Sequence, residues 1–556
     1  MSPRKAPGDD GISTAFYQAA LYMPANTQEG VPPTPFARAL LRVCGQVFAS
    51  ATIPRAWLCA SIVSIDKKDG DPLNPGDKRG IALINVGLKL VCKVLQMRIE
   101  RFVKTNNLLS YKQAGFRKRK ECVGQVVSLV DIIQRRQNAG LNTHVLFIDI
   151  RKAFDTVPVG ALLWKLQNMG FPRRTLAFLK ALYTSSSARA RAGSLLSDPF
   201  PVQRGVRQGC PLSGLLFNLF INDILDGVAP ITVPGLSRDT TPIRGLMYAD
   251  DVAVFADSEQ SLLAASTAIE QWANQWEMQF GVAKCGIISF TGHLAPRLDS
   301  PLDIRLHGQL VSRVESYKYL GVLIDSKLDH SAWLKQKRSA LEHTISALYP
   351  VLANHQLTVN YRSRIFSAVV MGKAYYGFEL VGGNKSHLAP LQTTINKGIR
   401  LFTGFPTLDC HCTPSDNDVF TLNVQGQLVR SQRWFWSRRT KQLYRNRYWL
   451  TPQVRSKTVK QRHSFALMET LRTCGDSASL QNYLAHPFAH LVVECEQVAG
   501  HRIQSGLVPA IQKSRLRLLG RALDPSVENV YTWLRGGVLN GEADLDQRWL
   551  DGDCGA

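Results

Sequence analysis

The sequence predicts an α+β fold, and three stretches carry that prediction. Residues 144–150, HVLFIDI, are apolar and rich in β-forming side chains, the pattern of a buried strand. Two more short apolar runs, Leu246 to Tyr248 and Val252 to Phe255, flank Ala249-Asp250-Asp251, which reads as a tight hairpin with acids at its tip. Between and after these runs the pattern turns helical.

The elements follow in order along the chain. Pro32-Pro33-Thr34-Pro35 is a local breaker. Pro158 to Gly170 predicts a short amphipathic helix, with proline at its start and glycine at its end. Leu212 to Leu225, LSGLLFNLFINDIL, is apolar on most faces and predicts a buried helix. Ser258 to Gln279 predicts a long helix, and strand-like runs follow at Gly286–Phe290 and Tyr317–Ile324. From Ser331 to Thr403 the pattern is helical, and residues 410–556 carry the weakest pattern.

With 556 residues the chain has room for roughly three to four domains. Its composition, 45% hydrophobic and 20% charged, excludes a mainly disordered or collagen-like protein. No stretch of about 18 residues is free of charged and polar groups, so no membrane span is expected. The N-terminus lacks the apolar core of a signal peptide, and an intracellular protein of nucleus or cytoplasm is expected. Eleven cysteines without a CxxC pair speak against a disulfide framework and for a reducing compartment. Cys410-His411-Cys412 is the one dense cluster, and its spacing suits tetrahedral zinc poorly. Lys and Arg number 67 against 43 Asp and Glu, a net charge of +24. Such an excess calls for a polyanion, nucleic acid first and an acidic membrane surface second.

Three acids could carry chemistry. Asp149 ends the predicted strand, and Asp250 and Asp251 sit at the predicted hairpin tip. Carboxylates gathered in a dry sheet repel one another and need cations to stay ionised. Hard oxygen ligands suit Mg²⁺, and two such ions about 3.5–4 Å apart would stabilise both oxygens of an in-line phosphoryl transfer. By itself an Asp-Asp pair reads as a turn, so the surrounding motifs decide.

Those motifs resemble the reverse transcriptases. Phe147-x-Asp149-x-x-x-Ala153-Phe154-Asp155 resembles their first palm motif. Gln208-Gly209-Cys210-Pro211-Leu212-Ser213, followed by Leu216-Phe217-Asn218, resembles the second, and Tyr248-Ala249-Asp250-Asp251 the third. Further matches are to the non-LTR (LINE-type) retrotransposon branch. Lys5 to Ile12 resembles its extra N-terminal motif. Ile62 to Arg98, with Lys67-Lys68 and Arg79 to Leu83, resembles its first fingers motif, and Gln113-Ala114-Gly115-Phe116-Arg117 its second. Lys284 stands where a fourth palm motif places a lysine, and Tyr319-Leu320-Gly321-Val322 resembles the primer-grip strand motif. Tyr376-Gly377-Phe378-Glu379 and Leu391 to Arg400 resemble the thumb. Gly80 and Gly214 depart from the family's usual prolines.

The resemblance covers roughly residues 5–405 and implies a right-hand polymerase. Fingers with an N-terminal extension would occupy 1–145, palm with fingers elements 146–329, thumb 330–405, and a basic, mainly helical C-terminal extension 406–556. It implies metal coordination by Asp149 and Asp250 above all, with Asp251 beside them. It places Phe154 beneath the sugar of the incoming nucleotide, where a ring would exclude a 2′-hydroxyl; a core aromatic is the competing reading. Lys67 or Lys68 with Arg79 would hold the triphosphate. Gln208 and Gly209 would touch nucleotide and template, and Lys284 would serve the leaving pyrophosphate. Asp155 reads as a local cap or ion-pair partner.

The tail has its own signal. Between Asp418 and Glu469 there is no acid, while Arg430, Arg433, Arg438, Arg439, Arg445 and Arg447 alternate with Trp434, Trp436, Tyr444, Tyr448 and Trp449. Cations for phosphates and aromatic faces for bases are the two parts of a single-strand binding groove.

The expected activity is RNA-directed DNA polymerisation with two Mg²⁺ ions, or Mn²⁺ in their place, on an RNA template, a DNA primer and deoxynucleotides. The rival expectations are a catalytically dead RNA-binding derivative and a group II intron maturase-like enzyme. The motifs begin at Lys5 and 406–556 shows no nuclease-like acidic cluster, so primer extension without DNA cutting is expected.

Overall fold

The computed structural model describes residues 6–20, 34–66, 78–118, 120–234, 243–292 and 300–377, with 71, 74, 380, most of 390–401, and the pairs 421–422 and 428–429. Lys5, Lys67, Lys68, Phe378 and Glu379 lie outside the described residues, as do Cys410 to Cys412 and every named tail residue from Arg430 to Trp449.

Two sheets organise the chain. The first pairs β1 (Cys59–Asp66) antiparallel with β2 (Lys78–Leu83) and parallel with β4 (Ser187–Ala192). The second has the order β5-β6-β3-β7, where β3 is Thr143–Ile148, β5 Gly245–Tyr248, β6 Asp251–Ala256 and β7 Gly286–Phe290. All its pairings are antiparallel.

The central strand β3 explains the unbroken apolar run read in the sequence. Successive side chains of a strand point to opposite faces. Leu146 and Ile148 enter one hydrophobic cluster together with Phe217, Phe220 and Leu262. Val145 and Phe147 enter another, with Val126, Ile133, Tyr319 and Trp333. Both faces are covered, so polar alternation has no place there. Val145, Leu146, Phe147 and Ile148 are each at most 1% exposed.

Helices form as patterned. Val159–Asn168 follows Pro158, and Gly170, at φ +78°, ends the segment. Glu259–Gln275 starts from a capping box in which the Ser258 side chain accepts from Ser261 N. After 330 the helices Ser331–Ala347, Tyr349–Leu352, Val359–Phe366 and Gly372–Tyr375 succeed one another, with one π-helical turn at Ser367–Met371.

Three expectations change in detail. The apolar segment from Leu212 is helical only over Ser213–Phe220. Beyond it the Asn222 side chain donates to Leu108 O at 2.9 Å and accepts from Ser110 N at 2.8 Å, and Asp223 takes Lys165 Nζ at 2.5 Å. These distant partners turn the chain away from the helix axis. Tyr317–Ile324 is two strands, β8 (Ser316–Tyr319) and β9 (Val322–Asp325). Leu320 and Gly321 both take positive φ, +46° and +80°, as a two-residue hairpin turn demands. Asp251 is the first residue of β6 and pairs with Tyr248, so the hairpin tip is Ala249-Asp250 alone.

Candidate active site

The site lies at one end of the second sheet. β3 and β6 run antiparallel with Ile148 opposite Val252, and one further step of that register sets Asp149 opposite Asp251. Opposed residues of an antiparallel pair share a face. Asp250 rides at the tip of the β5–β6 hairpin, beside them. All three acids are half-buried.

The electrostatics reflect this gathering. Burial first, then the neighbouring Asp250 and Asp149 carboxylates, push Asp251 up to about 6. Burial also raises Asp250, and Asp149 adds to the rise, while Arg79 opposes it. Arg79 belongs to β2, in the other sheet, so the fold carries a cation to the acids from a distance of some 170 residues in sequence. Like-charged carboxylates with raised affinity for protons are a combination that a divalent cation would relieve. Among the described residues no three His, Cys, Asp or Glu side chains form a ready ligand cluster. The expected three-carboxylate set is therefore not closed. An ion of the Mg²⁺ type needs only one or two carboxylates, with water and phosphate completing its shell.

Asp149 is fixed by the segment before β7. Gly281 N donates to Asp149 O at 2.9 Å. A Cβ on Gly281 would stand 2.6 Å from Asp149 Oδ2, so only glycine lets the carboxylate lie there. Lys284 ends the short Val282–Lys284 turn that follows, exposed, with its carbonyl accepting from Tyr317 Oη at 2.8 Å. The turn holds Lys284 three residues from Gly281. Tyr317 in turn stacks on Phe147, with ring centroids 4.3 Å apart.

Gln208 and Gly209 dock on β2. Gln208 O accepts from Ala82 N at 3.1 Å, and Gly209, at φ +105°, passes so close that a Cβ would stand 2.6 Å from Ala82 O. The Gln208 side chain donates to Asp155 Oδ1 at 3.0 Å, so Asp155 is a hydrogen-bond partner of that strap, where a cap or an ion pair was expected. Phe154 is half-buried between two rings. It stacks on Phe217 at 4.7 Å and meets Phe116 edge-on at 5.7 Å.

The β8–β9 turn is gripped from the helical region. Tyr376 Oη donates to Leu320 O, and Lys337 Nζ donates to Tyr376 O. Gly377, at φ +70°, packs where a Cβ would stand 2.9 Å from the Trp333 ring.

The structure thus brings Asp149, Asp250, Asp251, Arg79 and the Lys284 turn to one end of the sheet, with Phe154, Gln208 and Gly209 on the adjoining strap. Gly281, Phe116, Phe154 and Phe217 all stand within the motifs, but the seat that Gly281 gives the Asp149 carboxylate and the contacts among the three rings are visible only in the structure. Gln113 also stands within a motif that assigns it no role. The glycine at 281 is the signal available in the sequence; the positive φ of Ala249 is visible only in the structure.

Residues 65–324 match the family described as reverse transcriptase (RNA-dependent DNA polymerase). The chain is 25% identical over 411 residues to the "RNA-directed DNA polymerase from mobile element jockey" of Drosophila melanogaster, across 72% of this chain and 42% of that protein. It is 25% identical over 376 residues to the "Retrovirus-related Pol polyprotein from type-1 retrotransposable element R2" of Popillia japonica, across 64% of this chain and 50% of that protein. It is similar, at a TM-score of 0.34 and 11% identity, to a truncated apo telomerase from Candida tropicalis, over 55% of this chain and 62% of that one. The chain spans about two-fifths to half of the length of the curated relatives it matches. The matched family implies a right-hand polymerase arrangement and divalent-metal chemistry, which the paired acids suit. Among the described residues no helix is long and apolar enough to cross a membrane.

Proposed function

We propose that the chain, whose residues 65–324 match the reverse transcriptase family, is an RNA-directed DNA polymerase of the kind found in non-LTR mobile elements. One observation carries the reading: Asp149, Asp250 and Asp251 converge, half-buried, at the end of one sheet, where the charge of Arg79 in the other sheet opposes the rise of Asp250. The β1–β2–β4 sheet belongs to fingers within 1–145 and the inserted segment that returns to it. The four-stranded sheet is the palm, 146–329, the helices of 330–405 are the thumb, and 406–556 is a basic extension.

Divalent ions, two Mg²⁺ or Mn²⁺ when bound, would offset the charge of the acids and of the phosphates. Asp149 and Asp250 would hold them, with Asp251 adding negative potential. The primer 3′-hydroxyl oxygen attacks the α-phosphorus of a deoxynucleotide, the bond to the bridging oxygen breaks, and pyrophosphate leaves. Arg79, with Lys67 or Lys68, binds the triphosphate; Lys284 stands by to neutralise the leaving group. Gln208 and Gly209 meet nucleotide and template, and Phe154 lies under the sugar. Catalysis of this kind is positioning and electrostatics. Arg430, Arg433, Arg438, Arg439, Arg445 and Arg447, with Trp434 and Trp436, hold single-stranded nucleic acid.

Primer extension on RNA and DNA templates with Mg²⁺ or Mn²⁺ tests the reading. The parent should extend, and Asp250→Asn should lose at least about a hundredfold in rate while binding template normally, as a loss of charge stabilisation at the transition state requires. Template binding without extension by the parent would favour an RNA-binding derivative instead.

A further inference from the structure

The Asp250 turn is held from beneath by one side chain. Gln113 is 0% exposed. Its Oε1 accepts from Ala249 N at 2.8 Å and from Gly115 N at 2.9 Å, and its Nε2 donates to Ala249 O at 3.3 Å. Two N–H donors at one end and a carbonyl at the other permit a single orientation of the amide.

The segment around Gln113 is itself tied to β5. Ala114 N donates to Met247 O at 2.8 Å, and Met247 N donates to Lys112 O at 3.0 Å. Gln125 Nε2 donates to Met247 O at 2.8 Å, and Asn218 Nδ2 donates to Gly115 O at 2.6 Å. Gly115 lies so near the tip that a Cβ would overlap Ala249 N.

Ala249 needs that support. Its φ is +55°, a region that residues with a side chain rarely adopt and that persists only where surroundings over-determine it. Gln113 pairs both backbone polar groups of Ala249, and Asp250 is the next residue.

We propose that Gln113 is the positioning residue of the metal-binding hairpin: by holding Ala249 at both its N–H and its C=O, it sets the direction in which Asp250 presents its carboxylate to a divalent cation. The bonds of Gln113 go to the backbone of Ala249 and Gly115, so it acts through the turn. The rate effect rests on the polymerase reading; the metal-binding effect does not.

The test compares the full chain with Gln113→Met, which keeps the length of the side chain and removes its two-way amide. Mn²⁺ binding to the protein without template or nucleotide is measured from the spin-resonance signal of free Mn²⁺, and kcat and KM are measured in primer extension. Unpairing two buried N–H groups should loosen the turn enough to weaken Mn²⁺ binding about tenfold or more and to lower kcat by a similar factor. KM for the nucleotide should stay within about threefold, and the circular dichroism spectrum should match the parent. Mn²⁺ affinity within threefold of the parent overturns the proposal. If Gln113→Met does not fold, Asn218→Ala, which removes only the outer bond to Gly115, carries the test: a loss of about threefold or more in Mn²⁺ affinity upholds it, and parent-like affinity overturns it. A parent that binds Mn²⁺ yet never extends a primer defeats the polymerase reading and leaves the binding measurement to decide the role of Gln113.

Discussion

The ring of Phe154 lies on the ring of Phe217, centroids 4.7 Å apart and planes 16° from parallel. Phe116 meets the Phe154 ring edge-on at 5.7 Å, from a backbone at φ +55°. Phe154 is therefore a packed residue as well as a candidate selector against ribonucleotides, and the two roles can be separated. Phe154→Val should lower the melting temperature by several degrees, because a stacked, half-buried ring is lost at about 1–3 kcal/mol. If the ring also fills the space of a 2′-hydroxyl, the ratio of ribonucleotide to deoxynucleotide incorporation should rise at least tenfold. A lower melting temperature with an unchanged ratio would leave Phe154 a core aromatic only.

Asp251 ties stability to pH. Burial and two neighbouring carboxylates push it up to about 6 from an ordinary value of 3.8. A carboxyl raised in the fold opposes folding while ionised, so its cost is full above about pH 6 and fades as pH falls towards 4. That cost is at most about 3 kcal/mol. Metal-free Asp251→Asn should thus melt a few degrees above the parent at pH 7.5 and level with it near pH 4. Mn²⁺ should raise the melting temperature of the parent more than that of the variant. A parent whose metal-free stability relative to the variant is flat between pH 4 and pH 7.5 contradicts the assignment.

Gly281 offers a change confined to one carboxylate. Its φ is −84°, open to any residue, so alanine there brings no backbone strain. Its Cβ would stand 2.6 Å from Asp149 Oδ2 and force the carboxylate aside. Gly281→Ala should cost about tenfold or more in kcat, the usual scale for a displaced reacting group, and leave the melting temperature within a few degrees of the parent. Full activity in the variant would mean that the orientation of Asp149 is unimportant.

The basic stretch between Asp418 and Glu469 is tested by salt. Truncation after residue 410 should weaken RNA binding and flatten its salt dependence, with the log–log slope falling by about 0.7–0.9 for each phosphate that the tail neutralises in the parent. Equal slopes with and without the tail would mean that its arginines only face solvent.

The strands and the acids were legible in the sequence for a physical reason. A strand buried on both faces must be apolar at every position, so residues 144–150 announced β3, and a turn needs short polar residues, so Asp250 and Asp251 announced the hairpin. The helix starting at Ser258 was legible because its cap and its periodicity are local. The extent of the helix after Leu212 was not, because Asn222 and Asp223 answer to Leu108, Ser110 and Lys165, far away in the chain. Nor did the run Tyr317–Ile324 disclose its turn, since Leu320 takes φ +46° against its own preference under the hold of Tyr376 on its carbonyl.

The chain alone determined which groups could do chemistry: three acids, a surplus of cations and an aromatic after the first acid. Their identity is written residue by residue, and a carboxylate is a carboxylate in any fold. Only the tertiary structure decided how they are presented. It brought the charge of Arg79, in another sheet, within range of Asp250, stacked Phe154 on Phe217, left room at Gly281 for the Asp149 carboxylate, and put Gln113 under the Ala249 backbone. Each of those relations joins residues about 60 to 170 positions apart, and pairings at such separation follow from burial of the shared core rather than from any pattern within a short window.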